Sequence, residues 1–90
     1  MKTFDDYLKE QLKDPEFKKE YDYIKPEIEI MKMLIKARNE EKLTQKALSE
    51  RVGIDQSDIS KLENGNANPT LKVLQRLADG LNKKLEIKFI

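Results

Sequence analysis

Ninety residues are the size of one domain, with room for only a modest buried core. The chain has no cysteine and no histidine, which removes disulfides, thiolate metal sites, the usual zinc ligand and the usual general base near neutral pH. The formal charge is +1, unevenly spread: six lysines stand against nine acidic residues over 1–30, and twelve basic against eight acidic residues over 31–90.

No apolar run is long enough to span a membrane, and no signal-type apolar region opens the chain, so the expected location is the cytoplasm. Phe4, Tyr7, Leu8 and Leu12 fall at helical spacing and predict a short helix over 4–12. Asp14 is a good N-cap and Pro15 suits a first helical position, so a second helix is expected from Pro15 to about Ile24, burying Phe17, Tyr21 and Ile24. Lys25-Pro26 interrupts it, as a kink or as a break into two helices.

The next helix is expected from Pro26 to about Glu41. Ile30, Leu34 and Ala37 form one apolar stripe, and Ile28, Met31 and Ile35 a second that needs cover from the N-terminal helices or from a partner. Thr44 caps a helix that ends at Gly53, and Asp55 caps another, with Asp58 three residues on as an approximate capping box. Asn64-Gly65 closes that helix. After the loop 66–69, Thr70 caps a final helix from Leu71 to about Leu81, with Leu71, Leu74, Leu77, Ala78 and Leu81 as its buried set. At the C-terminus Leu85, Ile87 and Phe89 alternate with Glu86 and Lys88, which predicts a strand over 84–90. Such a strand needs a partner for its backbone groups: the same strand of a second copy, or the edge of a sheet in another protein.

Residues 44–65 carry the chemistry. Two short helices joined by a tight turn, locked by Leu48, Val52, Ile54, Ile59 and Leu62, have the form of a unit that enters the major groove of DNA. Gln56, Ser57, Ser60 and Lys61 face away from that core. Glutamine pairs with adenine and lysine with guanine, so Gln56, Ser57 and Lys61 are the candidate base contacts. Asp58 is unwelcome near phosphate and is assigned to capping. The basic balance of 31–90 agrees with phosphate binding.

Arg38, Leu43-Thr44-Gln45, Leu48, Gly53-Ile54, Ile59, Leu62-Glu63-Asn64-Gly65, Asn68-Pro69-Thr70-Leu71 and Leu77-Ala78 together resemble the Xre (phage-repressor and Cro-like) family over about residues 26–82. The resemblance implies a mainly α fold: a lambda-repressor/Cro-like helix-turn-helix bundle, here with an N-terminal helical extension and one C-terminal strand. It also implies phosphate contacts from Thr44, Gln45, Asn64, Asn66 and Lys72, and a partly buried ion pair between Arg38 and Glu63. Ser49 departs from the family's usual alanine against the turn, but it is small enough for the turn to survive.

The flanks add to this. The stretch from Phe4 to Tyr21 and the ending Leu77 to Phe89 look like those of HigA-type antitoxins. That likeness implies a type II toxin–antitoxin module whose partner is a HigB toxin, a small basic mRNA-cleaving RNase of the RelE superfamily. The antitoxin would neutralise the toxin and, as a dimer, repress the shared operon on an inverted repeat, alone or in a heterotetramer with the toxin. The acidic arm, residues 1–25, is the candidate toxin-binding segment, with Phe4, Tyr7, Leu8, Phe17, Tyr21 and Tyr23 as anchors. It would be followed by the DNA-binding domain at 26–82 and the pairing strand at 83–90. The competing reading is a free-standing regulator whose arm is structural. No constellation of residues suggests catalysis, a metal or a cofactor.

Overall fold

The computed structural model describes residues 3–90, so the first two positions of the expected arm lie outside the described residues. Five helices follow in order: α1 (Phe4–Gln11), α2 (Pro15–Glu40), α3 (Gln45–Val52), α4 (Gln56–Glu63) and α5 (Leu71–Gly80). The mainly helical class is as expected.

Local chemistry sets most of the boundaries. Thr3 and Asp6 form a capping box at α1, and the Asp14 side chain accepts from the Glu16 N–H at 3.0 Å with Pro15 opening α2. Thr44 and Thr70 accept from the third N–H of α3 and α5, at 3.0 and 3.1 Å. Each cap satisfies a backbone donor that the helix leaves free. At the far ends, α2, α4 and α5 close with the same paired backbone bonds: Leu43 and Lys42 N–H to the Arg38 and Asn39 carbonyls, Asn66 and Gly65 to Lys61 and Leu62, and Lys83 and Asn82 to Ala78 and Asp79. Lys42, Gly65 and Asn82 hold the left-handed conformation this closure needs.

Three expectations are corrected. First, α2 is a single 26-residue helix that runs through Pro26, so of the two outcomes expected there the break into two helices does not occur. Proline removes one hydrogen bond, to the carbonyl four residues back, but residues 22–27 are exposed and water can take that bond's place. Ile24, expected to be buried, is therefore exposed, while Phe17 and Tyr21 are half-buried and stacked on each other with ring centroids 6.4 Å apart. Second, residues 83–90 form no strand: among the described residues there is no second strand to complete a ladder, and alternation alone leaves the backbone groups unpaired. The start of this tail is tied down by Asn82 and Lys83 donating to Glu41 and Glu40 at 2.8 and 3.1 Å. Leu85 then walls one side of a shallow apolar groove of about 190 Å³ between α2 and α5. Third, Leu71 is exposed at the first position of α5, where the helix has not yet reached the core.

The core is small and lies in the C-terminal two thirds of the chain. Leu34 and Ala37 of α2 meet Leu48, Ile54, Ile59, Leu62, Leu77 and Leu81, with Leu43, Val52, Ala67 and Val73 packed around them. The close inter-helix packings are α2 on α4, α3 on α4 and α3 on α5. The second stripe on α2 is half-buried, and Met31 finds its cover in the loop after α4: a Cβ on Gly65 would sit 2.8 Å from the Met31 sulfur.

Across the α2–α4 contact, Arg38 forms a two-pronged ion pair with Glu63. Nε donates to Oε2 at 2.9 Å and Nη2 to Oε1 at 2.8 Å, while Nη1 donates to the Leu43 carbonyl at 2.8 Å. The side chains are only 16% and 5% exposed. The hydrogen bonds to Glu63 hold the guanidinium pKa above its ordinary value, outweighing the opposite push of burial. Because the folded value is raised, arginine's share of this stabilisation is full below the unfolded-state pKa and is lost only as pH rises through the folded one, far above neutrality. Removing either partner leaves the other charge uncompensated. Arg38→Ala or Glu63→Ala should therefore cost about 3–5 kcal/mol in a urea titration. An apolar pair, Arg38→Met with Glu63→Leu, should recover only part of that loss, because the Leu43 carbonyl still lacks its donor at a cost of about 1–3 kcal/mol.

Candidate nucleic-acid interface

The exposed face of α4 rests on a buried one. Ile59, Leu62 and Glu63 point into the bundle, and at 100° per residue Ser57, Lys61 and Asn64 then share the opposite side, with Ser60 beside them. Gln56, Ser57 and Lys61 are all exposed, as base-reading residues must be. Gln56 opens the helix one position before Ser57; at 100° per residue it lies off this face, on the side of Glu63, and is exposed at the helix's first position. No charged or bulky apolar residue other than Lys61 and Asp58 lies on this face, so it is short enough to approach a groove floor.

The expected phosphate-contact residues occupy ends of elements. Thr44 and Gln45 open α3, although the Thr44 hydroxyl is already engaged as the cap. Lys72 is exposed in the first turn of α5. Asn64 and Asn66 lie in the closure of α4, where the Asn66 N–H donates to the Lys61 carbonyl at 2.9 Å and the Asn64 amide reaches the Ser60 hydroxyl at 3.5 Å. Both asparagine side chains are exposed, so turn formation leaves them available to a ligand. Partial positive charge at the first turns of α3 and α5 makes these ends suitable neighbours for phosphate oxygens.

What fixes the turn between α3 and α4 differs from the expected Asp55 cap. Asp55 stands at the cap position, but its side chain bonds to nothing there, and no capping box forms with Asp58. The Asp55 carbonyl instead accepts from the Asp58 and Ile59 N–H groups at 3.0 and 3.1 Å. The turn is held from behind. Ser49 Oγ makes a short hydrogen bond to the Ile54 carbonyl, and Arg76 Nη2 donates to the Val52 and Gly53 carbonyls at 2.7 and 3.1 Å. Arg51 returns the tie from α3 to α5 by donating to the Gly80 carbonyl at 3.1 Å. Serine 49, which the sequence marks only as tolerated, is thus a turn-holding residue. The role of Arg76 leaves no signal in local sequence, since its partners lie more than twenty positions away.

The six expected toxin anchors do not behave as one set. Phe4, Tyr7 and Tyr23 are exposed, whereas Leu8, Phe17 and Tyr21 are half-buried. Gly53 adopts φ +70°, and an added Cβ would lie 2.9 Å from Arg76 Nη2. Gly53→Ala should therefore lose about 1 kcal/mol or more, lowering the melting temperature by about 4–8 °C per kcal/mol in a domain of this size. A thermal melt followed by circular dichroism checks it.

Comparison with known proteins agrees with this geometry. A family model described as helix-turn-helix matches residues 34–88. An uncharacterised HTH-type transcriptional regulator of Archaeoglobus fulgidus is 42% identical over 48 residues, which covers 53% of this chain and 68% of the relative. No solved structure matches. No helix among the described residues is long and apolar enough to cross a membrane. With the matched segment containing α3, its turn and α4, the chain belongs to the Xre/Cro-like helix-turn-helix family of DNA-binding transcription regulators.

Proposed function

We propose that this protein is the antitoxin of a type II module. It represses its own operon by reading operator DNA with α4, and it neutralises a HigB-type basic RNase with its N-terminal arm. The observation that carries the DNA-binding half is the exposed small polar face of α4, held on the bundle by the buried Arg38–Glu63 pair. Gln56, Ser57 and Lys61 read bases, while Thr44, Gln45, Asn64, Asn66 and Lys72 position the backbone. Two copies occupy half-sites about 34 Å apart, as a homodimer or in a heterotetramer with the toxin.

The toxin-binding half is supported by the arm. Phe4, Tyr7 and Tyr23 are large, aromatic and exposed in a segment with excess negative charge. Aromatic anchors with an acidic rim suit a basic protein and repel DNA. Among the described residues no buried core residue precedes Leu34, so the arm contributes little to the fold of the DNA-binding bundle.

Two experiments test the halves separately. In fluorescence anisotropy with operator duplexes carrying single base changes, Gln56→Ala or Lys61→Ala should relax preference at particular base pairs by about 1–3 kcal/mol. Lys72→Ala should instead weaken all duplexes alike and reduce the slope of log affinity against log salt by about one phosphate contact. Deleting residues 1–24 leaves Pro26 at a position that suits a helix start. That truncation should abolish binding to the co-expressed basic RNase while leaving operator affinity unchanged. Undiminished RNase binding would remove the arm from the interface, and a full-length chain that binds operator but no RNase would make the protein a free-standing regulator.

A further inference from the structure

Asp58 is the odd residue on the reading helix. It is exposed, it sits one position after Ser57 and one turn before Lys61, and its carboxylate makes no hydrogen bond or ion pair. It does not cap α4, where no side-chain cap bond and no capping box form. It does not pair with Lys61, although three-residue spacing on a helix would permit it. Folding therefore uses this carboxylate only through its negative charge in the first turn of α4, and through no bond. If α4 enters a major groove, an acceptor-only group with negative charge is brought among phosphates, at an electrostatic cost to every DNA sequence that offers it no donor.

The groove contains donors of only two kinds, and they are not equivalent. The adenine N6 amino group lies between two acceptors, its own N7 and the thymine O4. The cytosine N4 amino group has an acceptor on one side only, the paired guanine O6, and a C–H on the other. Guanine and thymine edges present acceptors alone, which a carboxylate repels. We propose that Asp58 is a specificity-determining residue that accepts a hydrogen bond from the N4 amino group of a cytosine in the operator and rejects other bases at that position. This rests on the reading of α4 as the groove-entering helix. It gives the helix opposite preferences one turn apart: Lys61 for the acceptor-rich edge of guanine, Asp58 for the donor of cytosine.

The test is selection of binding sites by the full-length chain from duplexes randomised over a half-site, repeated with Asp58→Ala and Asp58→Asn. Because the Asp58 side chain makes no bond within the protein and acts on α4 only through its charge, all three should fold and melt within several degrees of one another. The wild type should enrich one cytosine that Asp58→Ala no longer distinguishes, a loss of about 10-fold or more in discrimination at that base pair. Asp58→Asn should move the preference at the same position to adenine, whose N6 and N7 match an amide. If Asp58→Ala keeps the wild-type motif and only binds every duplex more tightly, Asp58 merely repels phosphate and the proposal is wrong. If the folded wild type enriches no motif at all, the reading of α4 as the DNA-reading helix fails first, and the role of Asp58 with it.

Discussion

The Arg38–Glu63 pair is the contact on which the rest of the bundle depends. A single guanidinium joins three elements: its own helix α2, the end of α4 through both carboxylate oxygens, and the α2–α3 connection through the Leu43 carbonyl. It spends three N–H donors in fixed directions, so it sets the angle of α4 as well as its distance. Apolar packing alone, with eight buried apolar side chains among the described residues, would hold α4 near α2 without fixing its rotation so firmly. Glu63 and the outward-facing Ser57 and Lys61 are on the same short helix, so fixing one side of α4 fixes the other.

A second brace comes from the opposite side. Arg76 on α5 holds the Val52 and Gly53 carbonyls at the α3–α4 turn, and Ser49 ties the Ile54 carbonyl back to α3. Arg76 and Arg51 satisfy backbone oxygens that the ends of the short helices α3 and α5 leave open. In a domain with so little apolar interior, such charge-assisted bonds carry a larger share of the structural definition than they would in a larger protein.

Most of the bundle was legible because its signals are local. Thr44, Thr70 and Asp14 announce helix starts through their own side chains, Gly53 and Gly65 announce ends, and the spacing of Leu48, Ile54, Ile59 and Leu62 announces the packed pair. The Arg38–Glu63 pair was legible only through family resemblance, since the partners are 25 positions apart. The misreadings share a cause. Pro26, Asp55, Leu71 and the alternating tail each carry a local signal whose outcome is decided by what lies next to it in space. Pro26 does not split the helix, because residues 22–27 are exposed and water can replace the lost bond. Asp55 need not cap because backbone and Arg76 hold the turn. Leu71 stays out because it stands at the first position of α5, two residues ahead of Val73, which packs against the core. The tail cannot become a strand without a neighbour to pair with. Arg76 went unnoticed for the same reason.

The connections between the last four helices are short: residues 41–44, 53–55 and 64–70. Three of the helix ends are closed by paired backbone bonds and the fourth by a glycine. A bundle with so little slack has almost no conformational freedom left to surrender when it docks, so the entropy of ordering that taxes loop-based recognition is largely absent from its association with a rigid duplex. That settled geometry also makes the bundle unforgiving of half-sites at the wrong spacing, because no linker inside it can stretch to make up the difference.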